Sequence, residues 1–225
     1  MTRSYPGYFI TLEGGEGSGK TCQIPPLVES LRQKGLTVFP TREPGGSSIG
    51  EQIREVLHNK QNVDMHTRTE TLLYQAARAQ FVEQTLLPQL AEGRIVISDR
   101  YSDSTRAYQG YGHQKDLGQI SMLIDYATDG LVPDFTVLID LDPKIGAERK
   151  KLNGSEMNRM DLLPPEFYER VRAGYLKMVK EEPNRWAVID GDQPKESVFT
   201  DLKREIENRL TLNGLIESDR RSVER

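Results

Sequence analysis

Gly14, Gly19, Lys20 and Thr21, within the stretch EGGEGSGKT at residues 13–21, are spaced as a glycine, four residues, then Gly-Lys-Thr. This is the pattern of a phosphate-binding loop. Glycines let the backbone turn with its N–H groups facing inward, and the next helix presents its unpaired N–H groups and positive dipole end to the same anion. On this reading Gly14, Gly15, Glu16, Gly17, Ser18 and Gly19 surround triphosphate oxygens. Lys20 reaches the outer phosphates and the Thr21 hydroxyl serves a magnesium ion. A second constellation sits in RIVISDRY, where Asp99 is followed directly by Arg100. A carboxylate there can serve magnesium through water, and a guanidinium beside the loop can bridge two anions.

The context fits. YFITLE precedes the loop as a buried strand should, and Ile24, Leu27, Val28 and Leu31 follow at helical spacing up to Gly35. Pro25 and Pro26 predict a distorted second turn in that helix. TREPGG puts Arg42 at the end of a second strand, suited to a phosphate. LLYQAARAQ puts Tyr74 and Arg78 four apart on one helix face, a pair able to stack on a base and bond its edge. GTPase switches also need Asp-x-x-Gly and Asn-Lys-x-Asp, and no glycine here has an aspartate three positions earlier. Motor ATPases end their Walker B strand in an acidic pair, whereas here Arg100 follows Asp99.

Five strand candidates (YFITLE, TVFPT, RIVISD, FTVLIDL and WAVID) alternate with helical stretches, the sign of βαβ crossovers and a mostly parallel sheet covered on both faces. The helical pattern from Thr67 opens with a capping-box candidate, Thr67 and Glu70. ISMLIDYAT and residues 164–182 are further helices, and KKLNGSEMNRMDLLPP, with its Gly and Pro breakers, is expected to be a mobile loop. The chain has 225 residues, 36% hydrophobic and 28% charged, and a net charge of −4. That balance suits one soluble domain and argues against a general nucleic-acid binder, so any basic site must be local. Its longest early apolar run is too short for a signal peptide or membrane span. Cys22 is the single cysteine, which points to a reducing cytoplasm; its expected place is a small buried side chain. With His58, His66 and His113 as the only histidines, a Cys/His metal cluster is not expected.

The ordered set EGGEGSGKT, TREPGG, LLYQAARAQ, DRYSDSTRAYQG and NRMD…RVRAGY resembles the bacterial thymidylate kinases over residues 9–210. The resemblance implies a three-layer α/β phosphate-loop kinase fold, with a five-stranded parallel sheet flanked by helices and a small lid. It implies a single domain over 1–213, the lid at about 149–163 and a frayed polar tail over 214–225. It further implies a homodimer that transfers the γ-phosphate of ATP to dTMP. Carried over residue by residue, Glu16 meets the 3′ side of the dTMP sugar, and Arg42 and Arg100 hold the acceptor phosphate. Arg100 also reaches the transferred group. Tyr74 replaces the family's usual phenylalanine under thymine, Arg78 meets a thymine carbonyl and Thr105 reads the base edge. Tyr108 crowds the 2′ position, and Gln109 belongs to the same segment.

The stretch Glu16-Gly17-Ser18-Gly19 has no basic residue, so the resemblance implies a lid arginine as the further cation. Arg159 aligns best with it, and Arg149 with a residue along the adenine. The lid departs from the commonest family pattern in having fewer arginines, with Lys150 and Lys151 beside Arg149. Two alternatives stay open on the residues: a kinase of another nucleoside monophosphate, such as dUMP or a cytidine nucleotide, and a nucleotide-binding regulator without turnover.

Overall fold

The computed structural model describes residues 5–154 and 157–217. Five strands, β1 (Tyr8–Glu13), β2 (Val38–Arg42), β3 (Ile95–Asp99), β4 (Phe135–Asp140) and β5 (Trp186–Asp190), form one parallel sheet in the order β2-β3-β1-β4-β5. The chain leaves β1 for one side of the sheet and later returns to the other, so the crevice beyond the carboxyl end of β1 is a topological switch point. The phosphate loop lies there, with Leu12 of β1 level with Asp99 of β3.

Strand alternation decides what each face buries. Tyr8, Ile10 and Leu12 join Ile24, Leu27, Val28 and Leu31 of helix α1 (Lys20–Gln33), together with Val198, Leu202 and Ile206 of the last helix, α9 (Lys195–Leu212). Phe9 points the other way, to Phe81 of α3 (Thr67–Phe81) and to Leu86, Val96 and Tyr101. Glu13 follows Phe9 and Thr11 on that second side and is wholly buried. A third cluster joins Tyr108 and Leu138 to Phe167, Val171, Tyr175 and Met178 of α8 (Pro165–Glu181). The remaining helices are α2 (Ser48–His58), α4 (Leu87–Ala91), α5 (Ser102–Thr105), α6 (Leu117–Thr128) and α7 (Pro143–Leu152).

Several local expectations change. α1 runs through Pro25 and Pro26 without a break; both are exposed, so the carbonyls they release, of Thr21 and Cys22, lie toward water. No capping box forms at Thr67: His66 caps α3 by accepting from the Arg68 N–H, and Glu70 turns inward to tertiary partners. Cys22 is exposed and donates to the Gly19 carbonyl at 3.1 Å, because the third residue of α1 faces the cleft and not the sheet. Of the segment expected to be a loop, residues 150–152 end α7 and Arg159–Leu162 form a short 3-10 turn, closed by a capping box of Asn158 and Asp161. The tail expectation beyond residue 217 lies outside the described residues. Among the described residues no helix is long and apolar enough to cross a membrane.

Candidate active site

A cleft of about 550 Å3 opens at the carboxyl ends of β1 and β3. Six basic residues line it (Lys20, Arg42, Arg54, Arg78, Arg100 and Lys150) against three acidic ones (Glu16, Glu43 and Asp99). A chain of net charge −4 thus concentrates positive charge where two anions could meet.

Gly17 and Gly19 turn the loop with φ of 72° and 92°, in the left-handed region that side chains avoid. Lys20 is buried and donates to the carbonyls of Gly14 at 3.0 Å and Gly15 at 2.9 Å, and to Ser18 Oγ at 3.1 Å. Burial, then the charge of Arg100, lowers the Lys20 ammonium to about 8. Thr21 Oγ1 donates to Asp99 Oδ2 at 2.6 Å. That hydroxyl–carboxylate pair is the hard oxygen set that magnesium takes alongside water and substrate phosphates.

Arg100 adopts φ 72° directly after β3 and crosses under the loop. Its Nη2 donates to Glu16 Oε1 at 2.8 Å and to the Tyr108 hydroxyl at 3.0 Å. Its Nη1 donates to the Gly14 carbonyl and to Ser104 Oγ at 3.0 and 3.1 Å. The guanidinium also lies over the Tyr108 ring, 4.9 Å from its centroid. Burial alone would raise the Glu16 carboxyl, but Arg100, Lys20 and Lys150 outweigh it and hold it down at about 2. Tyr108 belongs to a π-helical stretch, Arg106–Gly112, an irregularity that recurs at functional sites.

On the acceptor side Tyr74 is half-buried and lines the cleft beside Arg78, Thr105 and Gln109. All five Arg78 N–H groups are engaged: two with Glu43 Oε2, the others with Gln75 Oε1, Thr105 Oγ1 and the Tyr101 carbonyl. A base carbonyl that bonds Arg78 must therefore replace one of these partners. Gln109 is held by Glu70 at 2.8 Å. Arg42 is half exposed and paired with Glu51 at 2.8 Å.

The lid arginines fall outside the cleft. Arg159 is buried, with its Nε on the Leu57 carbonyl at 2.8 Å and its Nη2 on Glu70 at 2.6 Å. In this arrangement Glu70, left unused by helix capping, holds Arg159 away from the cleft in which the resemblance implies it acts. Arg149 bonds the Gly191 carbonyl and Asp192 after β5, at 2.8 and 3.3 Å, and does not line the cleft. Lys150 is the lid cation that does, paired with Asp161 at 2.5 Å and 3.8 Å from Glu16. Its position follows from Gly146, one helical turn earlier. A Cβ on Gly146 would lie 2.2 Å from the Glu16 carbonyl, so α7 packs backbone to backbone on the phosphate loop.

Arg54 was not legible as a cleft residue. It donates to the Pro44 carbonyl at 2.7 Å and lies beside His58, whose imidazole burial and Arg54 together lower to about 4. The available signal was its place on α2, three residues before the buried Leu57.

The thymidylate kinase family model matches residues 12–202. A thymidylate kinase of Exiguobacterium is 46% identical over 209 residues, 93% of this chain and 98% of the relative. One of Clostridium novyi is 43% identical over 198 residues, 88% of this chain and 97% of the relative. The crystal structure of thymidylate kinase from Ehrlichia chaffeensis superposes with a TM-score of 0.71 at 34% identity, covering 89% of this chain and 98% of that one. By sequence along nearly its whole length, and by fold, the chain belongs to the thymidylate kinase family.

Proposed function

We propose that the cleft carries out the family's reaction as one kinase domain over 1–213, with dTMP as acceptor and ATP as donor. The observation that carries this reading is Arg100, bonded at once to the phosphate loop and to Glu16 and Tyr108 on the acceptor side. An oxygen of the dTMP phosphate attacks the γ-phosphorus, the bond from that phosphorus to the bridging oxygen breaks, and ADP leaves as dTDP forms. Both reactants are anions, so the protein's work is alignment and charge neutralisation. Lys20 exchanges the loop carbonyls for phosphate oxygens of ATP, and the amides of residues 14–19 hold the rest. Arg100, with Arg42 and Arg54 from the acceptor side, holds the dTMP phosphate in line. Thr21 and Asp99 would hold magnesium, which would neutralise phosphate charge when bound. Tyr74 lies under thymine, Arg78, Thr105 and Gln109 face its edge, and Glu16 with Tyr108 receives the deoxyribose.

The third cation at the transferred group is Lys150, in place of Arg159, and Arg149, the residue before it on α7, acts on the adenine side. We place the enzyme in the cytoplasm, and read it as a homodimer. Leu72 of α3 and Met122 and Tyr126 of α6 are exposed large apolar groups on helices packed together. A coupled ADP-release assay with a panel of monophosphates tests the substrate. Turnover should be fastest with dTMP; equal use of dUMP or dCMP would move the acceptor assignment, and no turnover with any would leave a binding module.

A further inference from the structure

Glu13, the last residue of β1, is wholly buried beside the site, yet no step above uses it. Its Oε1 accepts the Tyr101 N–H at 2.8 Å, directly after the left-handed turn at Arg100. Its Oε2 accepts from Ser104 Oγ at 2.6 Å and from the Tyr175 hydroxyl at 2.8 Å. The same two hydroxyls receive Arg100 Nη1, at 3.1 and 3.4 Å. One carboxylate therefore holds Arg100 at both ends. It pins the backbone that keeps φ positive, a conformation a non-glycine residue holds only when its surroundings enforce it. It also turns two hydroxyls so that their hydrogens point to the carboxylate and their lone pairs to the guanidinium.

We propose that Glu13 is a positioning residue for phosphoryl transfer, orienting Arg100 through Ser104 and Tyr175 and through the Tyr101 amide. The proposal rests on the reading of Arg100 as the cation at the transferred group. The charged and titratable groups around Glu13 are Arg100 after β3, Asp103 on α5, Tyr175 on α8, Lys20 on the loop side and Arg78 on α3. Asp103 is itself neutralised by Arg185 at 2.7 Å, which leaves Arg100 as the cation Glu13 serves through the two hydroxyls.

Steady-state kinetics on the full chain test this with Glu13→Gln, Arg100→Ala and the double variant. Glu13→Gln keeps the size and the oxygen for Tyr101 but presents an amide N–H₂ to the two hydroxyls. Its kcat should fall on the order of thirtyfold, while KM for ATP and dTMP stays within about threefold and the melting temperature is not lowered. Groups that act as a unit are not additive, so adding Glu13→Gln to Arg100→Ala should cost little more. Unchanged kcat in Glu13→Gln, or effects that multiply in the double variant, would overturn the proposal. Full activity in Arg100→Ala would instead overturn the role of Arg100 itself. If Glu13→Gln does not fold, Ser104→Ala with Tyr175→Phe breaks the same link from the other side and carries the same outcomes.

Discussion

At the carboxyl ends of β1 and β3, Arg100 is bonded by the phosphate loop, α5, the π-helical stretch and α8. Across the cleft Lys150 has one close partner, Asp161, from its own lid segment, and approaches Glu16 at 3.8 Å. The first region brings groups from far apart in sequence onto one guanidinium; in the second the distant contacts fall to Arg149 and Arg159, and Lys150 itself is held at close range by Asp161 alone. Pre-arranged charge suits the centre, where a displaced guanidinium would lose alignment. A single close tether suits a cation that must move to a phosphate once the nucleotides are bound.

The sharpest break of this comparison is Arg100→Ala. Removing a cation at the transferred group should lower kcat on the order of a thousandfold, about 4 kcal/mol, with ATP binding and fold retained. Single-turnover rates beside ATP affinity check it. A variant with near-normal turnover would mean that the convergence on Arg100 is structural.

Arg159 tests the other side. It is a buried partner of Glu70, whose carboxyl burial would raise but His113, Gln109 and Arg159 together hold at about 2. Arg159→Ala strands Glu70 without its guanidinium, and unfolding free energy should fall by roughly 3 kcal/mol. The folded fraction should keep most of its kcat. Urea unfolding together with activity per folded molecule separates these; stability kept and kcat lost would return Arg159 to the chemistry.

The centre was largely legible in the sequence because its information is local. Lys20 and Thr21 follow from loop spacing, and Asp99 and Arg100 from the end of a strand whose register with β1 is set by parallel pairing. The strands themselves were legible from apolar runs that alternate with helices. The lid was not. Whether Arg159 or Lys150 faces the cleft depends on Glu70, 89 residues away, and on the fit of Gly146 against the loop. Glu13 was equally hidden: its role needs Ser104 and Tyr175, brought to it by α5 and α8. Arg78 was identified as a helix-face residue, yet its saturation by Glu43, Gln75, Thr105 and Tyr101 is a property of packing.

Glu13 also predicts a stability signature that sets the centre apart from the lid. Burial and then the nearby Asp103 raise its carboxyl from 4.5 to about 7. A raised pKa means that the folded protein prefers the protonated acid. The stability it contributes is full below about pH 4.5 and is lost as pH rises through about 7. Glu13→Gln has no such loss. Between pH 4.5 and 8 its unfolding free energy relative to the unaltered protein should rise by up to roughly 3 kcal/mol. Denaturant titrations at several pH values measure that slope, and a flat difference would mean that Glu13 is not strained by its charge. Together with a lowered kcat, the slope would identify a group whose charged form serves function at a cost in stability.

The smallest expected effect is at Lys150, and it tests what the lid contributes. If Lys150 leaves Asp161 for the transferred phosphate only when both nucleotides are bound, its contact belongs mainly to the transition state. Lys150→Ala should then lower kcat by about tenfold, roughly 1.4 kcal/mol, with KM for dTMP nearly unchanged. Lys150→Arg should restore much of that loss, since the charge and not the ammonium shape is what matters at the phosphate. Arg149→Ala provides the contrast: its partners Gly191 and Asp192 lie on the loop after β5, so its loss should raise KM for ATP more than it lowers kcat. Asp161→Asn discriminates further, because it frees Lys150 from its tether. If the tether holds the lysine ready, that variant should weaken transfer as well; if the tether holds it back, transfer should quicken. Equal kcat in Lys150→Ala and the unaltered protein would reduce the lid to a cover that excludes water, and would leave Arg100 and Lys20 as the cations at the transferred group.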